Sequence, residues 1–408
     1  MRSVYRDFIT DYMKIRIGLA ACGEGFGHVS RMVSLVQGLG TEFEIVLYAP
    51  DTVHGFLYEK LAPLRYGTLE IRDIPHLHLA KRGTRINYSR TLRENLPTLL
   101  SLRKSLTRLR RQLQGDEISV LINDFEPFTA LAATALGIPV LQINHPGIVT
   151  RSPSLMPDAL FTRLIAHFMM PAYDRRLYIS FYDGDLGPMI REEIVNQEPV
   201  QGDYYVVYLK PEYRRIVLGA LHRLGMRNFH VFPQSRLDYA RTLAGCRGVI
   251  TSAGHQTLSE ALYLGKPVFA IPQKGQYEQR LNAAKLAASG WGVHARSRNI
   301  PRQLFGFISR VESGGFPQAW ALPWLRIYRE NHTPRVIRRV RQFIYNSTSP
   351  RIIPVRSYIW DGFLSMESPE DVQGLVSRWQ RWERLSYRAT GGADVRMRGI
   401  SGEVYPRA

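Results

Sequence analysis

The sequence predicts an α/β protein with two Rossmann-like domains that face a cleft, followed by a helical C-terminal extension. Three observations lead to this fold class. Short apolar runs alternate with helical patterns, as in layered α/β folds with parallel sheets. The alternation restarts after residues 182–202, an irregular stretch that contains several glycines and prolines. The chain also has 408 residues, which is enough for two domains.

The first domain is expected to span residues 1–190. Its predicted strands are residues 14–21, 43–48, 119–122 and 139–143. A glycine loop follows the first strand, and a helix begins at about His28. Further helices are predicted as one long segment over residues 88–113 and a shorter one over residues 128–136.

The second domain is expected to span residues 200–313. Its predicted strands are residues 204–209, 228–232, 248–251 and 267–271, and its predicted helices are residues 212–224, 237–244, 255–264 and 277–289. The alternation then fades, and residues 314–408 form the predicted extension. It contains Trp320, Trp324, Trp360, Trp379 and Trp382. So many aromatic residues favour a packed helical segment over a disordered tail.

The composition is that of an ordinary globular protein, with 45% hydrophobic and 22% charged residues. Runs of about 18 apolar residues are absent from the sequence, so we expect no spanning helix. Residues 1–13 carry charges and lack the apolar core of a signal peptide. Cys22 and Cys246 cannot form a disulfide framework, and no Cys/His pattern has zinc spacing. We therefore expect a cytoplasmic protein in a reducing compartment.

The formal net charge of +19 is the unusual feature of the composition. Such an excess attracts polyanions, namely nucleic acid, acidic lipid headgroups or phosphorylated substrates. Arginine outnumbers lysine, and the arginine fork is suited to phosphate. A bias in genome composition would produce the same excess, so both explanations stay open.

The segment 251–260 has the pattern of a phosphate-binding turn. A predicted strand ends at Thr251, and a helix starts around His255 or Gln256, so free backbone N–H groups would face a phosphate there. Gly254 would allow close approach of the backbone. Hydroxyls of Ser252 and Thr257 would add donors, and Glu260 would accept hydrogen bonds from a ribose diol. The alternative is an ordinary strand–turn–helix with a polar cap.

A second polar group follows the next predicted strand. Gly265-Lys266-Pro267 leads into that strand, which ends at Ile271-Pro272-Gln273, and Glu278-Gln279 comes shortly after. Loops at the carboxyl ends of parallel strands face one crevice. Gly254 and the Glu278–Gln279 pair are therefore expected in the same cleft, where a carboxylate beside a carboxamide would bind sugar hydroxyls.

The order Ser-Ala-Gly-His, Ser-Glu-Ala-Leu, Gly-Lys-Pro, Ile-Pro and Glu-Gln, with Asn282 following, resembles the donor-binding region of GT-B glycosyltransferases. It is most similar to the group that contains UDP-glycosyltransferases and MurG-like N-acetylglucosaminyltransferases. The resemblance implies a UDP-sugar co-substrate, no other cofactor and no metal ion. It also implies that Gly254 and His255 contact the diphosphate, that Glu260 contacts the ribose and that Glu278 and Gln279 contact the donor sugar. The other expected donor-binding residues are Ser252, Gln256, Thr257 and Gln273.

Gly23-Glu24-Gly25-Phe26-Gly27-His28 forms a glycine loop after the first strand. Its spacing is not the dinucleotide-binding G-x-G-x-x-G fingerprint. One interpretation is a tight turn in which His28 only caps the helix. Related enzymes of the resembled group have a glycine-rich loop that ends in a histidine facing the acceptor. This implies that Gly25 and Gly27 belong to an acceptor-side loop and that His28 is a general base, although the loop departs from the MurG pattern.

Acidic residues after the strand 119–122 are candidates for orienting His28. Plant-type UDP-glycosyltransferases pair the loop histidine with an aspartate in a similar place. The resemblance gives this role to Asp124, with Glu126 as the second candidate. The alternative for Asp124 is a helix cap ahead of Pro127. His145, in Asn144-His145-Pro146-Gly147, lies on the same side and either contacts a substrate or is an ordinary loop histidine.

The expected reaction is a single displacement at the anomeric carbon with inversion, in which His28 deprotonates an acceptor hydroxyl. Lys274 or Arg280 would assist the helix N-terminus in stabilising the departing diphosphate.

Residues 81–111 hold ten basic residues and one acid, Glu94. They form either a solvated helix face or a docking face for acidic lipid headgroups or a phosphate-bearing acceptor. A peripheral location on the inner face of the membrane would follow from the second interpretation.

Three other classes of function remain open at this point. A nucleic-acid-modifying transferase would also use a basic surface, but helix-turn-helix, zinc and RNA-binding signatures are absent from the sequence, so we expect no nucleic-acid partner. A sugar-nucleotide epimerase shares the two-domain architecture and would carry further acid and base groups in its cleft. A non-catalytic binding protein would tolerate loss of both His28 and Asp124. The donor sugar, the acceptor and the oligomeric state have no signal in the sequence.

Overall fold

The structure is a computed structural model that describes residues 15–64, 70–82, 85–296, 299–318, 322, 325–347 and 355–356. Two parallel sheets with flanking helices form the two halves of the chain, as the sequence predicts. The five tryptophans of the predicted extension lie outside the described residues.

The first half contains a six-stranded sheet. Its strands and the short strands near it are β1 (Arg16–Ala21), β2 (Glu44–Ala49), β3 (Glu70–Asp73), β4 (Lys81–Arg82), β5 (Arg85–Ile86), β6 (Val120–Asp124), β7 (Val140–Asn144), β8 (Ala172–Tyr173) and β9 (Arg175–Tyr178). The sheet order is β3-β2-β1-β6-β7-β9, with parallel pairing throughout. Because β1 and β6 are neighbours, the loops that follow them lie side by side.

The second half contains a five-stranded parallel sheet in which each strand pairs in register with its neighbours. Its strands are β10 (Tyr205–Tyr208), β11 (Phe229–Phe232), β12 (Gly248–Ser252), β13 (Val268–Ile271) and β14 (Gly292–His294). Their order in the sheet is β11-β10-β12-β13-β14. A further short strand, β15 (Val355–Arg356), pairs with β8.

Helices flank both sheets. Those of the first half are α1 (Phe26–Leu39), α2 (His54–Leu61), α3 (Tyr88–Leu100), α4 (Leu102–Gly115), α5 (Pro127–Ala135) and α6 (Pro157–Met169). Those that follow are α7 (Glu192–Val195), α8 (Pro211–Arg223), α9 (Tyr239–Gly245), α10 (His255–Tyr263), α11 (Tyr277–Ala288), α12 (Ile300–Glu312) and α13 (Thr333–Ser347).

The strands are apolar because helices cover both faces of each sheet. Successive residues of β1 point to opposite sides, so Leu19 lies in one core and Ala20 in the other. Both are at most 2% exposed. The eight strands predicted from apolar runs are present, to within one or two residues at each end, while β3, β9 and β14 of the two sheets were not predicted.

One predicted element differs from the structure. The helical segment 88–113 is two helices, α3 and α4, which meet at Ser101. Serine competes for backbone hydrogen bonds and favours helix ends, and Ser101 has φ −87° and ψ 9° at the junction. The break lets the leucines of α4 face the core, since Leu102, Leu106, Leu109 and Leu113 are all buried.

The described part of the predicted extension returns to the first half of the chain. Helix α13 packs on α1, and its Val336, Val340, Phe343 and Ile344 are buried in the same core as β1. Arg341 donates from Nη2 to the backbone oxygen of Gly38 at 3.0 Å. The predicted domain limits at residues 190, 200 and 313 stay predictions.

Backbone hydrogen bonds fasten this returning segment to the connection between the two halves. The N–H of Tyr328 donates to the oxygen of Phe181 at 2.8 Å, and that of His332 donates to the oxygen of Pro188 at 2.9 Å. One apolar cluster also contains residues of both halves, including Tyr182 and Leu258. The carboxyl ends of the two sheets are thereby held near each other. In the described part of the chain, every helix is too short or too polar to cross a bilayer.

Candidate active site

His28 and Asp124 meet at the carboxyl edge of the first sheet. Helix α1 begins directly after Gly25, whose φ of 86° favours glycine, and His28 is the third residue of that helix. Asp124 is the last residue of β6 and pairs with Ala21 at the end of β1. The Nδ1 atom of His28 lies 2.7 Å from Oδ1 of Asp124. The structure therefore brings together the two residues expected to act as base and orienting acid.

A third side chain, Arg31, completes this group and was not expected from the sequence. Its Nε donates to Oδ2 of Asp124 at 2.7 Å, and its Nη2 donates to Oδ1 at 3.0 Å. Nη2 also lies 3.0 Å from Nδ1 of His28. Arg31 follows His28 by three residues, so both side chains lie on the same face of α1. This spacing would have indicated Arg31 once Asp124 was known to face that side of the helix.

The protonation state of Asp124 follows from two opposed effects. Burial alone would raise the pKa of this carboxyl, but the charge of Arg31, then that of His28, outweighs burial, and the pKa of Asp124 is lowered. An ionised carboxylate only accepts hydrogen bonds, so the short contact requires a proton on Nδ1 of His28. In the neutral ring the lone pair is then on Nε2, for which the described residues provide no hydrogen-bond partner.

Glu126, the second candidate for orienting His28, has a different role. Its Oε1 accepts from the N–H of Phe128 at 2.8 Å, and its Oε2 accepts from the N–H of Thr129 at 2.7 Å, so it is the N-cap of α5. Burial raises the pKa of Glu126 to about 7 despite these donors. Between the two acids, Phe125 has φ 61° and turns the chain, so the carboxylate on His28 is that of Asp124.

His145 and His255 stack on each other where the two halves meet. Their ring centroids are 3.7 Å apart with planes inclined by 16°. Burial, followed by the charge of Arg31, lowers the pKa of His145 to about 3. Burial, followed by the charge of His145, lowers the pKa of His255 well below its usual value. Both rings are therefore neutral at physiological pH.

Hydrogen bonds fix the tautomer of each of these two rings. Nε2 of His255 accepts from the N–H of Phe181 at 3.1 Å, which leaves a proton on Nδ1. Nε2 of His145 lies 3.0 Å from Oδ1 of Asn282 and donates to it. Within the described residues, the Nδ1–H of His255 is buried and has no hydrogen-bond partner, and it belongs to the first residue of α10.

Asn282 is the centre of a network that links the halves. Besides His145, the hydroxyl of Tyr182 donates to its Oδ1 at 2.7 Å. Its Nδ2 donates to the backbone oxygen of Ala253 at 3.0 Å and to Oε1 of Glu278 at 3.2 Å. Asn282 is fully buried, and Tyr182 is 1% exposed. Tyr182 had no sequence signal, because only the fold brings it to the donor side.

Helix α10 begins at the carboxyl end of β12, as expected. Gly254 is its N-cap, and side chains do not cap this helix within the described residues. The amides of its first turn are therefore available to an anion. A Cβ built on Gly27 would lie 3.8 Å from Cβ of Gln256, so the glycine loop of the first half meets the start of this helix. Ser252 and Thr257 flank the helix start and are half-buried.

Glu260 is 1% exposed and is held by an arginine from the connection between the halves. Nε of Arg191 donates to Oε1 of Glu260 at 2.7 Å, and Nη2 donates to Oε2 at 2.9 Å. Gln256 also donates to Oε1 at 2.8 Å. The carboxylate expected to bind a ribose is therefore already an acceptor of three hydrogen bonds.

Glu278 and Gln279 differ in their surroundings. The side chain of Glu278 is 18% exposed, and its Oε1 lies 3.6 Å from Nε2 of His145. Burial raises the pKa of Glu278, and the charge of His28 opposes the rise. Gln279 is buried, and its Oε1 accepts from the N–H of Gln273 at 2.9 Å. Gln279 thus holds the preceding loop.

Lys274 and Arg280, the two cations expected near the diphosphate, have different surroundings. Lys274 is exposed in the loop after β13. Arg280 pairs with Asp158 of α6, and its guanidinium lies 4.9 Å from the ring centroid of Tyr277. Among the described residues, no three His, Cys, Asp or Glu side chains converge as a metal site.

Comparisons with known proteins agree with the two-sheet α/β fold. Two proteins named "Uncharacterized glycosyltransferase", from Methanosarcina mazei and Methanosarcina acetivorans, are each 24% identical to this chain. Each alignment covers 73% of this chain and 90% of the relative. MurG from Acinetobacter baumannii is similar in structure, with a TM-score of 0.52 and 14% identity over 81% of this chain and 99% of its own.

A second solved structure, of the protein LpCGTa in complex with UDP, has a TM-score of 0.50 and 14% identity over 81% of this chain and 99% of its own. The family described as Glycosyl transferase family 1 matches residues 13–312, which include both sheets and both sides of the site. The chain belongs to this family and is a glycosyltransferase with the GT-B fold.

Proposed function

We propose that the enzyme transfers a sugar from a nucleotide diphosphate to an acceptor hydroxyl, with inversion at the anomeric carbon. The proposed nucleotide is UDP. The observation that carries the proposal is the meeting of two features at one point. The loop that holds His28 approaches the uncapped start of α10, where Gly27 and Gln256 are in near contact. The proposed base and the proposed anion site would thus be neighbours across the two halves.

In the proposed reaction, the Nε2 lone pair of His28 takes the proton of the acceptor hydroxyl. The hydroxyl oxygen forms its bond to the anomeric carbon as the bond from that carbon to the diphosphate oxygen breaks. The electron pair of the breaking bond goes to the diphosphate. Attack opposite the leaving group inverts the configuration, and Asp124 stabilises the imidazolium that forms.

The departing diphosphate would be stabilised at the start of α10. Free amides of the first turn and the helix dipole favour an anion there. The Nδ1–H of His255 is an unpaired donor on the first residue of the same helix. These are neutral, preorganised donors, and we propose that they serve without a metal ion or any other cofactor. Activity that survives chelation with EDTA would support this part of the proposal.

The choice of UDP follows from the donor-side sequence motif. LpCGTa, whose solved structure contains UDP, has a similar fold. We propose that Glu260 binds the ribose and that Glu278 binds the donor sugar, since both carboxylates follow strands that end at the cleft. TDP-sugars serve as the comparison donors in a panel.

For the acceptor we propose a phosphate-bearing or lipid-linked hydroxyl compound. Helix α4 exposes basic side chains, among them Lys104, Arg110 and Arg111, while its leucines pack inward. Leu100, the last residue of α3, is 47% exposed. The segment therefore offers positive charge and one apolar side chain for docking to acidic headgroups. Cys22 and Cys246 are buried free thiols, which suits our proposal of a cytoplasmic enzyme at the inner membrane face.

The test is a panel of UDP-sugars and TDP-sugars scored by nucleotide release, with and without a lipid extract. We expect release to depend on one UDP-sugar and to rise with the extract. His28→Ala should reduce turnover by about 10²- to 10⁴-fold, with donor binding retained. Near-normal turnover in this variant would remove His28 from the mechanism.

Each part of the proposal has its own contradicting result. Failure to consume any donor would contradict the nucleotide assignment, and retained anomeric configuration would contradict inversion. Interconversion of the donor sugar without acceptor would identify an epimerase. Absence of salt-sensitive sedimentation with acidic liposomes would contradict the membrane-docking part alone.

A further inference from the structure

Arg31 and Asp124 form a buried fork beside the ring of His28. Arg31 is 4% exposed and Asp124 is 6% exposed. Both carboxylate oxygens are bound, because Nε of Arg31 donates to Oδ2 at 2.7 Å and Nη2 donates to Oδ1 at 3.0 Å. The same Oδ1 lies 2.7 Å from Nδ1 of His28. The guanidinium thus sets both the position and the plane of the carboxylate that touches the imidazole.

The contact between Arg31 and His28 makes the ring sensitive to what Asp124 does. Nη2 of Arg31 is only a donor and lies 3.0 Å from Nδ1 of His28. While Asp124 accepts from Nδ1–H, this contact joins two donors and is not a hydrogen bond. If Asp124 ceased to accept, Nδ1 would instead take a hydrogen bond from Nη2, and the ring proton would move to Nε2. Both tautomers have a partner, so the carboxylate selects between them.

We propose that Arg31 is a positioning residue that holds the Asp124 carboxylate by both oxygens and thereby keeps the proton of His28 on Nδ1 and the lone pair on Nε2. The inference rests on the proposed role of His28 as the base. Arg31 would act through Asp124 and would not touch the substrate.

The electrostatics of the buried pair agree with this geometry. Burial raises the pKa of Asp124, and the charge of Arg31 is the largest effect that lowers it. Without the guanidinium, a carboxyl in this environment is pushed towards its protonated form. A protonated carboxyl donates, and it would then favour the tautomer of His28 that has no lone pair on Nε2.

Two other roles for Arg31 lead to different results. A purely structural role, in which the ion pair only joins α1 to β6, predicts altered stability with normal turnover per folded molecule. Direct binding of the diphosphate predicts weaker donor binding, seen as a raised KM for the UDP-sugar. A positioning role predicts a lower kcat, an unchanged KM and a changed tautomer.

The experiment reads the tautomer directly by ¹⁵N long-range correlation NMR of protein with labelled histidine. Loss of one signal set in His28→Gln assigns His28. In the wild type, we expect the neutral ring of His28 to carry its proton on Nδ1 and to leave Nε2 unprotonated. Arg31→Met should shift the population towards the Nε2–H tautomer and reduce kcat for the best UDP-sugar by about 10²-fold or more, with KM within about threefold.

A matched control removes an equivalent fork elsewhere in the first half. Arg72 donates from Nε to Oδ2 of Asp116 at 3.0 Å and from Nη2 to Oδ1 at 2.5 Å. Arg72→Met should lower stability while leaving the His28 signals and kcat unchanged. Arg31→Lys, which keeps the charge and loses the fork, should give a mixed tautomer and an intermediate kcat.

Several outcomes would overturn the proposal. A wild-type His28 with its proton on Nε2 would refute it without any variant, and this result is available even if Arg31→Met does not fold. Wild-type tautomer and kcat in either Arg31 variant would also refute it. Because the NMR measurement needs no substrate, it separates this inference from the proposed function. Failure of every donor would contradict only the latter.

Discussion

Replacing Asp124 by asparagine should slow the reaction by about a thousandfold, and the contacts of this carboxylate explain why. The variant has no negative charge 2.7 Å from the imidazole. Two unit charges centred about 4 Å apart, at an effective dielectric constant of about 20, interact by about 4 kcal/mol. Because 1.36 kcal/mol corresponds to tenfold in rate, losing this stabilisation of the imidazolium amounts to about 10³-fold in kcat.

The direction of the amide adds to this effect. If its oxygen takes the place of Oδ2, it still accepts from Nε of Arg31, the contact measured at 2.7 Å. The amide nitrogen then faces Nδ1 of His28 and donates to it, which moves the ring proton to Nε2. This orientation sets the amide nitrogen 3.0 Å from the donor Nη2 of Arg31, whereas the opposite orientation sets it 2.7 Å from the donor Nε. The first orientation is the better one, and it removes the lone pair that the base needs.

The assay is steady-state release of nucleotide from the best donor of the panel, with kcat and KM measured separately. Asp116→Asn is the control. Asp116 also accepts hydrogen bonds from an arginine, but its partners are Arg72 and Tyr48 and not His28. The reasoning fails if Asp124→Asn retains kcat within tenfold of the wild type. It also fails if Asp116→Asn reduces kcat equally, because the loss would then reflect general destabilisation.

Two further predictions concern stability. The pKa of His145 in the folded state is lowered to about 3. Below pH 6.5 the unfolded chain therefore binds more protons than the folded one, and the free energy of unfolding decreases as the pH is lowered. At pH 5 this group alone should cost about 2 kcal/mol relative to neutral pH, and urea unfolding of His145→Gln should lack that part of the loss. Ile344→Ala on α13 should lower the unfolding free energy by about 2–5 kcal/mol, because the side chain is fully buried in the core of the first half. Arg338→Ala, at an exposed position of the same helix, is the control. If Ile344→Ala lowered the unfolding free energy by less than about 0.5 kcal/mol, as expected for the control, α13 would not be part of that core.

The elements of the fold were predictable because they depend on local patterns. The apolar runs that became β1, β6, β12 and β13 are bounded by glycine, proline and polar residues, and the strand ends carry the polar groups of the cleft. The carboxyl-end rule then sufficed to place His28 near Asp124 without knowing any distance. The motif order 251–282 supplied the donor side.

The choice among nearby polar residues needed the three-dimensional structure. Asp124 and Glu126 are two residues apart, and only the positive φ of Phe125 decides which of them caps α5 and which turns to His28. Arg31 was missed because it lies inside α1 and not at the end of a strand, so the carboxyl-end rule did not point to it. Tyr182 was missed because it lies in the irregular connection after β9, away from the strand ends that the rule considers. The partners of such residues follow only from the packing of the elements.

The surroundings of Glu260 connect donor binding to the joint between the two halves. A carboxylate offers about four acceptor sites, and Arg191 and Gln256 already use three of them. A ribose diol brings two donors, so binding both hydroxyls requires one present donor to leave. Arg191 is held in place, because removing it would leave a buried charge unpaired. Gln256 is the group that can turn away, and its Nε2 also donates to the oxygen of Met189 at 3.1 Å. If Glu260 binds the ribose by both hydroxyls, as we propose, the same event releases a contact with the connecting segment, and donor binding is thereby coupled to the linkage of the two halves.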